Sequence, residues 1–253
     1  MYLPTKKMLP SPPFPLSPSA PVLSETWMQV ETGLVSRRIY VDPKPEISLN
    51  PWHQELADLM LNDKEREIWD KLPEKGPRRR DRLFGRIAAK DAVRQWAKQV
   101  LNLEIAPVDI EILSTELGKP FLHCPSLEVM VPLPDISISH SRGYVVAALG
   151  RSRLGIDLER LGNIRFEDWI DAAFSPSELE LLPPANLLIA LGFWCAKEAA
   201  SKAVGTGLQG VPGKWAIASC SPDGKQVKVT HNNECFSVNI WYGDNEVLAI
   251  CQC

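Results

Sequence analysis

Asp157 and Glu159 stand two residues apart in Gly155-Ile156-Asp157-Leu158-Glu159, a segment with the apolar alternation of a strand. Strand side chains alternate between faces, so both carboxylates point the same way. Such a pair repels itself unless a cation intervenes, and hard oxygen ligands of this kind suit Mg²⁺. Farther on, Trp194-Cys195-Ala196-Lys197-Glu198 and Lys202 fall in a run with helical character. Trp194, Glu198 and Lys202 share one helix face, and the rest of the helix is rich in Ala, Leu and Phe. Three acids could hold a divalent ion while ammonium groups meet phosphate oxygens. The plainer alternative is a solvated strand with Arg160 as partner, plus a surface Glu–Lys pair contributing a few tenths of a kcal/mol.

Three further clusters could act on the same chemistry. Ile136-Ser137-Ile138-Ser139-His140-Ser141, followed by Arg142-Gly143, ends a strand and opens a turn. Side chains and amides at such a place can reach a ligand. Nucleophilic attack by Ser139 or Ser141 with His140 is disfavoured, because adjacent residues rarely adopt attacking geometry, and plain turn residues are the alternative. Arg78, Arg79, Arg80, Arg82, Arg86 and Lys90 gather at the start of a long amphipathic pattern. Guanidinium forks suit phosphate, although a solvated face would look the same. Leu117-Gly118-Lys119-Pro120 reads as a loop.

These residues need positioning elements. Helical spacing covers Trp52–Met60, Lys64–Leu72 and Arg80–Val100, with short strands expected at Arg38–Asp42, Asp109–Leu113, Ile136–Ser139, Tyr144–Leu149 and Gly155–Glu159. The second half offers helices at Phe166–Ala172, Ser175–Leu182 and Asn186–Val204, the last stopped by Gly205 and Gly207. Strands follow at Trp215–Ser219, Gln226–His231, Cys235–Trp241 and Glu246–Gln252. The expected class is α+β, with two similar lobes, each a small antiparallel sheet packed with a long helix. The expected organisation is a proline-rich disordered leader over 1–34, an N-terminal lobe over 35–150 and a C-terminal lobe over 151–253. No residue-level repeat stands out.

With 253 residues, 45% hydrophobic and 23% charged, the composition is that of a soluble globular protein. The net charge of −3 provides no global field for nucleic acid or an anionic membrane. Six scattered cysteines without a CxxC pair fit a reducing cytoplasm. No apolar run is long enough to span a bilayer.

In their order along the chain, the GR-x-A-A-K helix, GKP, the SHS turn, G-I-D-x-E and W-x-x-K-E-A-x-x-K resemble the 4′-phosphopantetheinyl transferase superfamily. Length and paired halves are similar to its monomeric, pseudo-twofold Sfp type. The resemblance spans roughly Leu61 to Leu208. It implies that the 4′-phosphopantetheine arm of coenzyme A passes to a serine of an apo acyl or peptidyl carrier protein, with adenosine 3′,5′-bisphosphate leaving. Such carriers serve fatty-acid, polyketide or nonribosomal peptide synthesis. By the same resemblance, Asp157, Glu159 and Glu198 would hold Mg²⁺ on the pyrophosphate, and Glu198 would take the serine proton. Lys202 and Lys197 would meet phosphate, and His140 with Ser139 would hold the 3′-phosphate or ribose. Gly118, Lys119 and Pro120 would wrap the adenine end, with Arg79 or Arg82 adding phosphate contacts. Arg151, Arg153, Arg160 and Arg165 are candidates for receiving the acidic carrier. Two alternatives predict different outcomes: a catalytically inactive coenzyme A-binding protein, or a metal-dependent phosphohydrolase acting without a carrier.

Overall fold

The structure, a computed structural model, describes residues 22–30, 34–40, 51–162, 169–182 and 186–253. The proline-rich stretch through residue 21 and Arg165 lie outside the described residues. Those up to Ser114, with Pro120–Arg151, form one compact unit, and Thr115–Lys119 with Ser152–Cys253 form another. No helix among the described residues is long and apolar enough to cross a membrane.

The amino-terminal unit begins with β1 (Glu25–Val30), inside the stretch expected as leader, paired antiparallel with β2 (Leu34–Tyr40). Three helices follow: α1 (Pro51–Met60), α2 (Asp63–Asp70) and α3 (Pro77–Leu101). After a 3-10 turn at Pro107–Asp109, β3 (Glu111–Ser114) and β4 (Pro120–His123) make a two-stranded ladder. The short α4 (Pro125–Glu128) precedes β5 (Asp135–Ser141) and β6 (Tyr144–Gly150). The main sheet runs β1-β2-β6-β5, all antiparallel. Pro at its first position starts α3, and Asn102 in the left-handed region (φ 51°) ends it. Its Leu83, Phe84 and Ile87 are fully buried. His140 lies within β5 rather than in a turn; Arg142 and Gly143 alone turn the hairpin, both at positive φ.

The carboxy-terminal unit contains β7 (Leu154–Arg160), α5 (Ile170–Ala173), α6 (Pro176–Leu179) and α7 (Leu187–Val204). Part of the helix expected at Phe166–Ala172 falls outside the described residues, and α5 starts at Ile170. A 3-10 turn at Pro212–Lys214 leads into β8 (Ala216–Cys220), β9 (Gln226–His231), β10 (Glu234–Tyr242) and β11 (Glu246–Gln252). Their antiparallel order is β7-β11-β10-β9-β8. The chain is thus mixed α+β with antiparallel sheets, as expected.

The succession strand, helices, long helix, 3-10 turn and two hairpins occurs in both units, and the last strand pairs with the strand that precedes the helices, β6 with β2 and β11 with β7. One buried ion pair is repeated with it. Asn62 and Glu65 form a capping box on α2, and Ser175 and Glu178 form one on α6. Each capping glutamate is 2% exposed and also meets a fully buried helix lysine: Glu65 with Lys90, Glu178 with Lys197. Lys90 Nζ donates to the Met60 and Pro107 carbonyls, and Lys197 Nζ to those of Ala173 and Pro212. Glu65 accepts from the Ile112 amide at 3.0 Å and Glu178 from that of Ile217 at 2.7 Å. Buried charges cost several kcal/mol of desolvation each unless paired and hydrogen-bonded. Here every one has several partners. Each pair ties the long helix to a capped short helix and to the strand after the 3-10 turn.

Candidate active site on the carboxy-terminal unit

In the carboxy-terminal unit α7 lies directly on β7. A Cβ at Gly155 would fall 1.8 Å from the Ala199 carbonyl oxygen and 2.5 Å from the Ala203 nitrogen. Only glycine permits that backbone contact. Asp157, two residues along β7, is 4% exposed, and its Oδ1 accepts from Lys202 Nζ at 2.6 Å. Glu198 stands one turn before Lys202 on α7 and is half-buried. Glu159, again two residues on, is half-buried as well. Glycine spacing, strand alternation and helical periodicity thus bring Asp157 and Lys202 together, with Glu198 close enough to share their field.

That field shows in the titration of each group. Burial and then the Asp157 charge raise the Glu198 carboxyl to about 6, with Lys202 opposing and Glu159 adding to the rise. Burial alone would lower Lys202, but Asp157, through charge and hydrogen bond, and Glu198 hold the ammonium above its ordinary value. Burial, Asp157 and Glu159 push the Cys195 thiol well above its ordinary value, so it remains protonated. The cluster therefore pairs a firm cation with a carboxyl poised near neutrality.

The donor set fits a hard divalent cation in chemistry: carboxylate oxygens whose mutual repulsion a cation would relieve. Their arrangement here is different. Among the described residues no group of three His, Cys, Asp or Glu side chains stands where it could hold a metal ion. Lys202 serves as the counter-charge on Asp157.

The remaining candidates divide sharply. Lys197 is fully buried, and Glu178 with two carbonyls consumes its ammonium, so it holds the fold together. Arg79 is similarly committed. Its Nη2 donates to Asp70 at 2.8 Å, and its guanidinium lies 4.0 Å over the Trp69 ring. Arg82 is half-buried, its pKa lowered by burial with Glu65 opposing. Gly118, at φ 88°, turns the loop before β4, which Pro120 opens. Lys119 Nζ donates to the Ala203 carbonyl at the end of α7, at 3.1 Å. Ser139 is buried in β5, whereas the neighbouring His140 side chain is 62% exposed. Glu178 escaped the reading of the sequence, although its Ser-x-x-Glu cap was there to be seen.

The model of the 4′-phosphopantetheinyl transferase superfamily matches residues 153–251, which hold β7, α7 and the acidic cluster. A holo-[acyl-carrier-protein] synthase from Halalkalibacterium halodurans is 32% identical over 40% of this chain and 81% of its own length. The chain belongs to the 4′-phosphopantetheinyl transferase superfamily. Another relative of the superfamily member is the L-aminoadipate-semialdehyde dehydrogenase-phosphopantetheinyl transferase of Schizosaccharomyces pombe. It is 29% identical over 44% of this chain, and the match spans about half, 48%, of the yeast protein. A crystal structure of a holo-(acyl-carrier-protein) synthase from Bacillus anthracis in complex with CoA covers 47% of this chain and 93% of its own at 24% identity, with a TM-score of 0.35.

Proposed function

We propose that this chain transfers the 4′-phosphopantetheine arm of coenzyme A to a serine hydroxyl of an apo acyl or peptidyl carrier protein. Adenosine 3′,5′-bisphosphate leaves. The observation that carries this reading is the Asp157–Lys202 pair beside Glu198, whose carboxyl is raised to about 6. At neutral pH Glu198 is ionised yet still basic enough to accept a proton. It takes the proton from the carrier serine as the serine oxygen bonds to the phosphorus bearing the pantetheine arm. The bond from that phosphorus to its bridging oxygen breaks, and the electron pair leaves with the nucleotide. Lys202 offsets the negative charge that builds on the phosphate oxygens. Such general-base assistance contributes on the order of 10²–10⁴ in rate.

Asp157, Glu159 and Glu198 would hold Mg²⁺, which would supply charge neutralisation for the diphosphate. His140 and Ser139 are assigned to the 3′-phosphate region of the nucleotide, Gly118–Pro120 to its adenine end and Arg82 to phosphate. The reading includes an Sfp-type, pseudo-twofold monomer acting in the cytoplasm. All six cysteines being free is consistent with that compartment.

The test is incubation with coenzyme A, Mg²⁺ and a panel of apo carrier proteins, read by intact-protein mass spectrometry. A carrier that gains the phosphopantetheine mass, and does not in the presence of a chelator, supports the reading. Coenzyme A binding with no gain on any carrier would leave a binding protein. Coenzyme A breakdown without a carrier would leave a phosphohydrolase.

A further inference from the structure

The first turns of α3 run alongside β5 in the amino-terminal unit. A Cβ at Gly85 would sit 3.5 Å from Ile138 Cγ2. One helical turn before Gly85 and two strand residues beyond Ile138, the next pair along the same face is Asp81 with His140. Their separation is 3.9 Å between Asp81 Oδ2 and His140 Nε2. The two residues differ in exposure: the His140 side chain is 62% exposed and that of Asp81 only 18%. Asp81 is held from its other side. Arg80 Nε and Nη2 both donate to Asp81 Oδ1, each at 3.1 Å. One carboxylate oxygen is thereby fixed by a guanidinium fork, and the other faces the imidazole.

We propose that Asp81, held by Arg80, is a positioning residue for His140: it sets the orientation in which the ring meets a phosphate monoester. The proposal rests on the assignment of His140 to the coenzyme A 3′-phosphate. An exposed imidazole on its own samples several ring orientations, and holding one of them lowers the ordering cost of binding an anion. A carboxylate facing one ring nitrogen directs the opposite edge of this exposed ring toward solvent. Arg80 compensates the Asp81 charge, so the carboxylate that holds the ring repels an incoming phosphate less. No other residue of α3 is placed by the structure in an ion pair with His140.

Dephospho-coenzyme A, which lacks only the 3′-phosphate, separates this role from a structural one. Steady-state kinetics with both substrates would compare wild type, Asp81→Asn, His140→Ala and the double variant. An exposed charge pair is worth up to about 1 kcal/mol, so Asp81→Asn should raise KM for coenzyme A roughly three- to fivefold, beyond any change in kcat. It should leave KM for dephospho-coenzyme A unchanged and add nothing in the His140→Ala background. Asp81→Glu, which keeps the charge, should stay within about twofold of wild type. An unchanged coenzyme A KM in Asp81→Asn, equal rises with both substrates, or a rise that persists without His140 would overturn the proposal. If the wild type transfers to no carrier, the transferase reading falls. The same four proteins, titrated calorimetrically with adenosine 3′,5′-bisphosphate and adenosine 5′-phosphate, then decide the role of Asp81 through binding alone.

Discussion

Placing Lys90 on Lys197 sets two equivalent helix surfaces side by side. Asp91 then corresponds to Glu198, and Gln95 to Lys202. On the facing strands Arg37 pairs with Ala147 of β6 and Asp157 with Ala249 of β11, which makes those two positions equivalent as well. The contacts agree: Arg37 Nη1 donates to Gln95 Oε1 at 2.9 Å, and Lys202 Nζ donates to Asp157 Oδ1 at 2.6 Å. The donor has moved from strand to helix. The carboxylates at the next station fare differently too. Asp91 is fully buried and accepts from the Leu23 and Ser24 amides and the Ser24 hydroxyl at 2.8–2.9 Å. Glu198 is half-buried beside two other acids. Burial raises Asp91 while its Ser24 hydrogen bonds oppose the rise. One scaffold therefore holds two versions of a site. In one the polar groups satisfy each other and serve the fold; in the other, Asp157, Glu159 and Glu198 share one field with Lys202.

The shared part of the comparison should break hardest. Removing one partner of a buried ion pair costs roughly 3–5 kcal/mol, so Lys90→Met and Lys197→Met should each lower unfolding free energy by about that much in denaturant titrations. A loss in only one of them would mean that the two pairs are not equivalent. The divergent part should separate cleanly by assay. Asp157→Asn should reduce carrier modification by on the order of 10²–10³ in kcat/KM. Asp91→Asn should cost about 1 kcal/mol of stability through weakened hydrogen bonds to Ser24 and leave transfer within about twofold. Comparable losses of transfer in the two variants would sink the division. The smallest effect concerns pH. Folded Glu198 holds its proton up to about 6 against an ordinary 4.5, so it binds more protons than the unfolded chain between those values. Stability should therefore fall as pH rises through that window. Glu198→Gln should remove the penalty, gaining about 2 kcal/mol above pH 6 and nothing below 4.5 in denaturant titrations without added Mg²⁺.

The acidic and basic segments of the candidate site were more legible than the packing that supports them. Gly155–Glu159 and Trp194–Lys202 could be read for chemistry because strand and helix periods are short-range rules. The same rules placed α3, α7 and most strands within a few residues. What the sequence hid was which lysine did what. Lys197 and Lys202 look alike in W-x-x-K-E-A-x-x-K, and only packing shows that the first is enclosed by Glu178 while the second reaches Asp157. Arg79 was hidden in the same way, since its partners Trp69 and Asp70 belong to another helix. The repeat was visible in principle. Ala89-Lys90-Asp91-Ala92 and Ala196-Lys197-Glu198-Ala199 are nearly the same word, each preceded by a capping box whose glutamate closes the buried pair. A four-residue word and a cap make a faint signal until the fold brings their equivalents into register.

Gly155 has a consequence for how fast this site can change. Because the helix rests on bare backbone there, the gap between Asp157 and the α7 side chains is gauged by a missing atom. Even alanine at that position would wedge strand from helix, pulling acid and ammonium apart without touching either. Variation can therefore alter the clustered side chains one at a time, but the spacing that makes them a set tolerates almost none.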